Sequence, residues 1–470
     1  VIFLILWLII YSRIDYSTMT TDSINNLWQS LGVENLAVDP LSSLSVLHIQ
    51  PWGVNALYAL DLAVSPSSHV LLLLVYFLAG AGSIWLLVST LALVGVPRSW
   101  RVGAGVVLAL LPGTVYYTFW PYNVTLTGFF VTLMAWGLAT MARRPMLGAG
   151  VSAGAVLALQ LTRSTFVWVV VLAWCVFLAV RLVRMIPGRK VLVTLVPLLV
   201  VAGLSAGSQL YYWANFQLPT MSSWSGQNVA KALFFSGNLN VTSGAREEIN
   251  QDPCLGELLV AFETQTINIW DPGGQLALPA CSRAVVPEPK GIPAWDQNYR
   301  EFGPLNFNSR TGLAASREWS RMMFIIVKND PTQLIDMALT TPTGPRSSGV
   351  GLYLDPSDEF PWIDAEREAS PVAPVSGLLS VVFGPAMVVL ILLGVIHAIA
   401  RRDSYLRGNW VYWGVLGLIV FHAGTSTLAE WGENMRFRAE IDPVLLLLAV
   451  MSLYAISQSK QIPGLKSSRS

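Results

Sequence analysis

The apolar residues of this chain come in blocks of about 17 to 25. That is the length a helix needs to cross a hydrocarbon core of roughly 30 Å. Charged residues make up only 12% of the chain and hydrophobic residues 53%, whereas a soluble domain carries about 25% charge. Mean hydropathy is +0.54. The composition therefore selects a polytopic α-helical membrane protein. The net charge of +1 excludes the basic footprint of a nucleic-acid binder. No glycine-rich phosphate loop of the Walker type is present.

The blocks predict about ten transmembrane helices, at 1–11, 70–94, 102–119, 124–142, 147–161, 165–183, 191–212, 375–400, 410–428 and 441–457. The first reaches only about 16 Å at about 1.5 Å per residue, so it is expected to be the end of a helix that begins before the given sequence. A signal peptide fits it less well, because a basic leading region and a small-residue cleavage site are both missing. Arg98 and Arg101, Arg143 and Arg144, Arg181 to Lys190, Arg401 to Arg407, and Lys460 to Arg469 all fall on one side if every span is real. The positive-inside rule makes that side cytoplasmic.

The other side then receives a first outer loop at 12–69, a large segment at 213–374 and the corner from Glu430 to Glu440. This divides the chain into an N-terminal transmembrane module (1–212), an extracytoplasmic domain of mixed structure (213–374), and C-terminal helices with a cytoplasmic tail (375–470). Short helices are predicted at 315–328 and 331–338. Cys254 and Cys281 both lie in the large segment, so a disulfide is expected to be open to them in an oxidising compartment. Cys175 lies within a span and reads as packing.

The unusual residues gather on the outward face. Asp15, Asp22 and His48 stand in the first loop. Asp22 reads either as the N-cap of a short interfacial helix or as a carboxylate free for chemistry. Arg163, in the turn between spans five and six, runs against the positive-inside trend. It either snorkels to lipid phosphate or binds the phosphate of a substrate. Near the end, Glu430, Glu433, Arg436, Arg438, Glu440 and Asp442 crowd the mouth of the last span. Pro443 is expected in the first helical turn, which leaves Arg436 outside the helix at headgroup depth. Guanidinium forks match phosphate oxygens there. His422, inside the ninth span, is a functional candidate because ionisable groups within membranes are costly. Glu433, three residues from Arg436, is its alternative partner.

Three pieces together resemble the GT-C superfamily of polytopic glycosyltransferases. The branch is the one containing the protein O-mannosyltransferases and the lipid A aminoarabinose transferase. One piece is an acidic residue in the first outer loop, here Asp22 or else Asp15. Another is the segment His48-Ile49-Gln50-Pro51-Trp52 closing that loop. The last is Arg436-Phe437-Arg438 with Pro443 downstream. The segment from Ser316 to Ala338, with Asn329-Asp330-Pro331, is similar to the helix such enzymes carry before their next span. Two departures stand out: the family's Asp-Glu pair is Asp22-Ser23 here, and its double proline is Gln50-Pro51.

The resemblance implies a sugar transferred from a polyprenyl-phosphate donor to an acceptor hydroxyl on a glycan, lipid or protein. Asp22 would be the base. Arg436, Arg163, Arg438 and His422 would stabilise the departing phosphate. His48 and Glu433 would contact substrate. A divalent cation is an option, although no ligand cluster in the sequence demands one. The expected location is a bacterial plasma membrane with the active site facing outside. A surface-polysaccharide polymerase or ligase shares these features. A transporter or flippase would place paired broken helices and charges near the midplane.

Overall fold

The computed structural model describes residues 1–12, 20–25, 27, 30–186, 190–235, 239–264, 286–301, 305–339, 373–401, 404–429 and 434–459. Almost every regular element among them is a helix. Six helical segments are long and apolar enough to cross a membrane: Val70–Leu93, Pro145–Thr162, Trp168–Met185, Leu192–Phe216, Val382–Ala400 and Phe437–Gln458. The chain is an α-helical integral membrane protein.

In chain order, α1 (Ile2–Tyr11), α2 (Thr21–Asn25), α3 (Val33–Val38), α4 (Pro40–Ser45) and α5 (Trp52–Val64) precede α6 (Val70–Leu93). The bundle continues with α7 (Arg98–Leu110), α8 (Pro112–Tyr116), α9 (Val124–Thr140), α10 (Pro145–Thr162), α11 (Trp168–Met185) and α12 (Lys190–Phe216). Six shorter or amphipathic helices follow: α13 (Ser225–Phe235), α14 (Ser243–Asn250), α15 (Pro253–Glu263), α16 (Pro293–Asp296), α17 (Arg310–Asn329) and α18 (Thr332–Leu339). The chain returns through α19 (Ala373–Ala400), α20 (Trp410–Ala429) and α21 (Asn434–Ser459).

The bundle is built around its last helix. Of the most apolar window of α21, 78% is buried, against 22% to 50% for the other five candidate spans. It packs against α9, α19, α20, α6 and α7. The α9–α10 contact is tight where Gly137 and Gly148 face each other. A β-carbon on Gly148 would lie 2.5 Å from the carbonyl oxygen of Gly137. Without a hydrophobic drive between helices in lipid, such close backbone approach supplies the packing energy.

Two sequence expectations about helix ends are corrected. The stretch 102–119 is not one helix. It breaks at Leu111, which is extended (φ −66°, ψ 129°), because Pro112 sterically disfavours a helical residue before it. The last helix starts at Asn434, and Pro443 lies inside it. The proline removes an N–H and opposes the carbonyl four residues back, that of Ala439. Gly128 of α9 stands beside this stretch, where a β-carbon would lie 3.4 Å from the Glu440 carbonyl and 4.0 Å from that of Ala439.

The segment expected to be mixed is helical among its described residues. Its one β feature there is an isolated bridge between Tyr299 and Leu305. The predicted helices at 315–328 and 331–338 correspond to α17 and α18. Ser309 caps α17 by accepting from the Gly312 N–H, 3.1 Å away. The buried face of α17, with Trp319, Met322 and Ile326, packs with Leu255, Leu258 and Phe262 of α15. Cys254 is disulfide-bonded; Cys281 lies outside the described residues. Cys175 is free and buried.

These helices are joined to the first loop. Residues of α3 and α5 share one core with Tyr212, Phe216, Trp295 and Phe307. Arg300 is one fastening between them. Its guanidinium donates to the carbonyls of Asn25, Leu27 (3.1 Å) and Ser30 (2.7 Å). Burial lowers its pKa to about 10, with Glu34 acting in the opposite direction. The first loop and the α13–α18 helices therefore cover the same end of the bundle.

Candidate functional site

At this covered end, α10 finishes at Thr162 and Arg163 follows in an extended conformation. Its side chain turns into the bundle and is 5% exposed. Glu440, on the second turn of α21, is fully buried and offers one oxygen to Arg163 Nη2 at 3.1 Å. Its other oxygen lies 3.1 Å from His422 Nε2 of α20. The Arg163 guanidinium also donates from Nη1 to Asn123 Oδ1 at 3.3 Å and rests 4.2 Å above the Phe437 ring. Asn123 in turn donates to the Thr162 carbonyl at 3.2 Å, so the loop before α9 holds the end of α10.

A buried carboxylate with two basic neighbours is what low dielectric demands, since an isolated charge there would be far more costly. The cluster is not saturated. Among the described residues, Arg163 Nε and His422 Nδ1 are buried with no hydrogen-bond partner. The Arg163 Nη2–Glu440 Oε1 pair is close, but neither atom has a well-aligned hydrogen bond. One turn along α21, Arg438 Nε lies 3.4 Å from Asp442 Oδ1. Arg438 is 1% exposed, and it fits because position 384 of α19 is glycine. A β-carbon there would lie 2.8 Å from Arg438 Nη1.

A second relay lies under the first loop. His69 precedes α6 in a left-handed conformation (φ 47°), strained for a residue with a side chain. Its Nδ1 donates to Asp61 Oδ2 at 2.6 Å. Asp61 also accepts from the Leu72 N–H (3.1 Å) and the Ser65 hydroxyl (2.7 Å). The remaining ring nitrogen of His69 faces Thr21 Oγ1 at 3.2 Å. The relay thus ends on α2, next to Asp22.

The residues singled out from sequence fall in different places. Asp22 is exposed, in the first turn of α2. It is not the N-cap: Thr20 is, accepting from the Ser23 N–H at 3.1 Å. Asp15 and Glu433 lie outside the described residues. The Arg436 backbone is helical within α21, not in a loop before it; its side chain lies outside the described set. Arg163, Arg438 and His422 are all buried on the covered side of the bundle, each beside a carboxylate.

His48 is also buried. Its Nε2–H donates to the Ser309 carbonyl (3.3 Å), which leaves Nδ1 to accept from the Ser223 hydroxyl (2.8 Å). Burial pushes its pKa down to about 3, although the Ser309 carbonyl favours the protonated ring. The backbone around it is tied as firmly. Ser222 donates to the Ile49 carbonyl and Tyr212 to that of Gln50. Gly53 is required by close approach, since a β-carbon would lie 2.5 Å from the Leu161 carbonyl oxygen.

Sequence reading passed over Asp61, His69, Asn123 and Arg300. An aspartate eight positions before a histidine, around a Ser-Pro-Ser-Ser turn at the head of an apolar helix, was the available signal for the first two. Among the described residues, no group of three or more His, Cys, Asp or Glu side chains could hold a metal ion. No protein-family model matches the chain, and no curated protein or solved structure matches it.

Proposed function

We propose that the protein is a membrane glycosyltransferase of the GT-C kind. It moves a sugar from a polyprenyl-phosphate donor to an acceptor hydroxyl on the extracytoplasmic face, with inversion at the anomeric carbon. The observation that carries this reading is the buried Arg163–Glu440–His422 cluster, with two nitrogens that have no hydrogen-bond partner among the described residues, at the same end of the bundle as the exposed carboxylate of Asp22. Positive groups near the site of transfer stabilise the charge that develops on a departing phosphate. An exposed carboxylate can take the acceptor's proton. Arg163 and Arg438 already face carboxylates, so Arg436 is assigned the direct phosphate contact. Arg163, Arg438 and His422 shape the field behind it.

In this reading all ten spans cross the membrane, and the α13–α18 helices with the first loop lie outside a bacterial plasma membrane. Asp15 is the alternative base. His48 and Glu433 act near the substrate by holding the loop, and a divalent cation remains an optional aid. A polymerase or ligase of surface polysaccharide would use the same cationic corner. One observation favours transport instead. Glu440 and Asp442 are buried within a candidate span, where ionisable groups commonly mark ion pathways.

Purified protein in nanodiscs, given a polyprenyl-phosphate sugar and a hydroxyl acceptor, tests the choice. Transfer by the wild type and a loss of about 10²–10⁴-fold in Asp22→Asn support the enzyme. Proton-coupled solute flux in proteoliposomes, without transfer, would replace it with the transporter.

A further inference from the structure

The other end of the bundle carries a feature that this function does not use. Between α11 and α20 runs an apolar groove of about 610 Å³. Val169 and Phe177 on one wall and Trp413 and Leu418 on the other are among its lining residues. It opens sideways, since Val169 is 53% and Trp413 36% exposed, and in a membrane that opening faces lipid.

Its ends differ. At one end stands Arg407, exposed, with Arg181 placed 4.5 Å over the Trp410 ring. Neither arginine has a carboxylate partner among the described residues. At the other end Phe421 closes the groove against Phe166, with ring centroids 6.4 Å apart. From Trp410 to Phe421 the wall rises about 16 Å at about 1.5 Å per residue. One leaflet of hydrocarbon is about half of roughly 30 Å. The groove is therefore one leaflet deep, apolar along its length, and cationic only at the end that meets the headgroups.

We propose that this groove binds one anionic phospholipid from the leaflet at the arginine-rich end, its acyl chain along α11 and α20 and its phosphate between Arg407 and Arg181. Charge complementarity selects this occupant: two guanidiniums with no carboxylate partner among the described residues suit an anionic headgroup and its phosphate oxygens. A tail whose headgroup sat at Glu440 would leave them unanswered. The site lies at the opposite end from Asp22 and stands whether or not the chain transfers sugar.

Gly417 gives a clean probe. It lines the groove, and a β-carbon on it would meet nothing within 4 Å, so Gly417→Leu can be placed there without a clash at its β-carbon and takes up groove space. Native mass spectrometry of the full chain, titrated with dioleoylphosphatidylglycerol or dioleoylphosphatidylcholine, reads occupancy directly. We expect preferential binding of phosphatidylglycerol. The preference should fall about fivefold for each arginine in Arg407→Gln and Arg181→Gln. Binding should be lost in Gly417→Leu at unchanged melting temperature. Equal binding of the two lipids, or phosphatidylglycerol binding that Gly417→Leu leaves intact, overturns the proposal. So does displacement of phosphatidylglycerol from the groove by an equimolar polyprenyl phosphate. If Gly417→Leu fails to fold, the two arginine variants decide alone: an unaltered preference in both overturns it.

Discussion

Arg163 and Glu440 meet at 3.1 Å with side chains 5% and 0% exposed, joining the end of α10 to the second turn of α21. The pair is a junction as well as an ion pair, because His422 approaches the same carboxylate from α20. Three helices are therefore tied through one side chain.

Glu440→Gln should test that tie. It leaves Arg163 as a buried charge without a counter-charge, a situation that costs about 3–5 kcal/mol. Thermal unfolding in detergent should show a clear loss of stability. Arg163→Met combined with Glu440→Met should recover much of it, since no orphan charge remains. A double variant as unstable as Glu440→Gln would mean that the two residues do not act as a pair.

Arg300 should govern the order of the first loop. Arg300→Ala removes a charged donor from three carbonyls, where a hydrogen bond to a charged group contributes about 1.5–3 kcal/mol. Hydrogen exchange at 21–31 should accelerate, with little change in α9 or α10. Arg300→Lys should rescue only partly, because a compact ammonium cannot reproduce the planar fork. Unchanged exchange in the alanine variant would remove Arg300 from this role.

His48 predicts a pH dependence. Its pKa is about 3 in the fold and about 6.5 in an unfolded chain. Between those values the unfolded state binds the extra proton. The stability from burying neutral His48 is present above about pH 6.5 and is lost as pH falls toward 3, at up to about 1.4 kcal/mol per pH unit. Comparison with His48→Gln between pH 4.5 and 7 isolates this slope. Parallel pH profiles for the two proteins would assign the titration elsewhere.

Arg436 carries the donor-binding part of the proposal. Arg436→Lys should reduce transfer partly and Arg436→Ala should weaken donor binding and slow turnover together, because both depend on the phosphate. If Arg436 only pairs with Glu433, the double variant Glu433→Ala with Arg436→Ala should work normally. Steady-state transfer by that double variant separates the two roles.

The apolar helices were legible in the sequence because length and composition alone decide them. Their ends were harder, for reasons visible at single residues. The apolar run through Leu111 hid the break that Pro112 imposes. Pro443 read as a helix start, since that is where an isolated proline is best tolerated. The helix nevertheless continues back to Asn434, where its charges meet Arg163 and His422, partners that no local window contains. The same holds for His48, whose hydrogen-bond partners Ser223 and Ser309 lie far along the chain. Arg163 and His422 could be named as unusual, but not that one glutamate serves both.

The burial of α21 sets an order of assembly. The helix at the centre of the bundle is also the last described one to be synthesised. Until it arrives, α6, α9 and α20 lack their shared neighbour, and Arg163 and His422 lack their carboxylate. Glu440 then arrives opposite Arg163 and His422, whereas Arg438 and Asp442 come as a pair on the same helix. A chain truncated before Asn434 would therefore lack the helix on which the others converge.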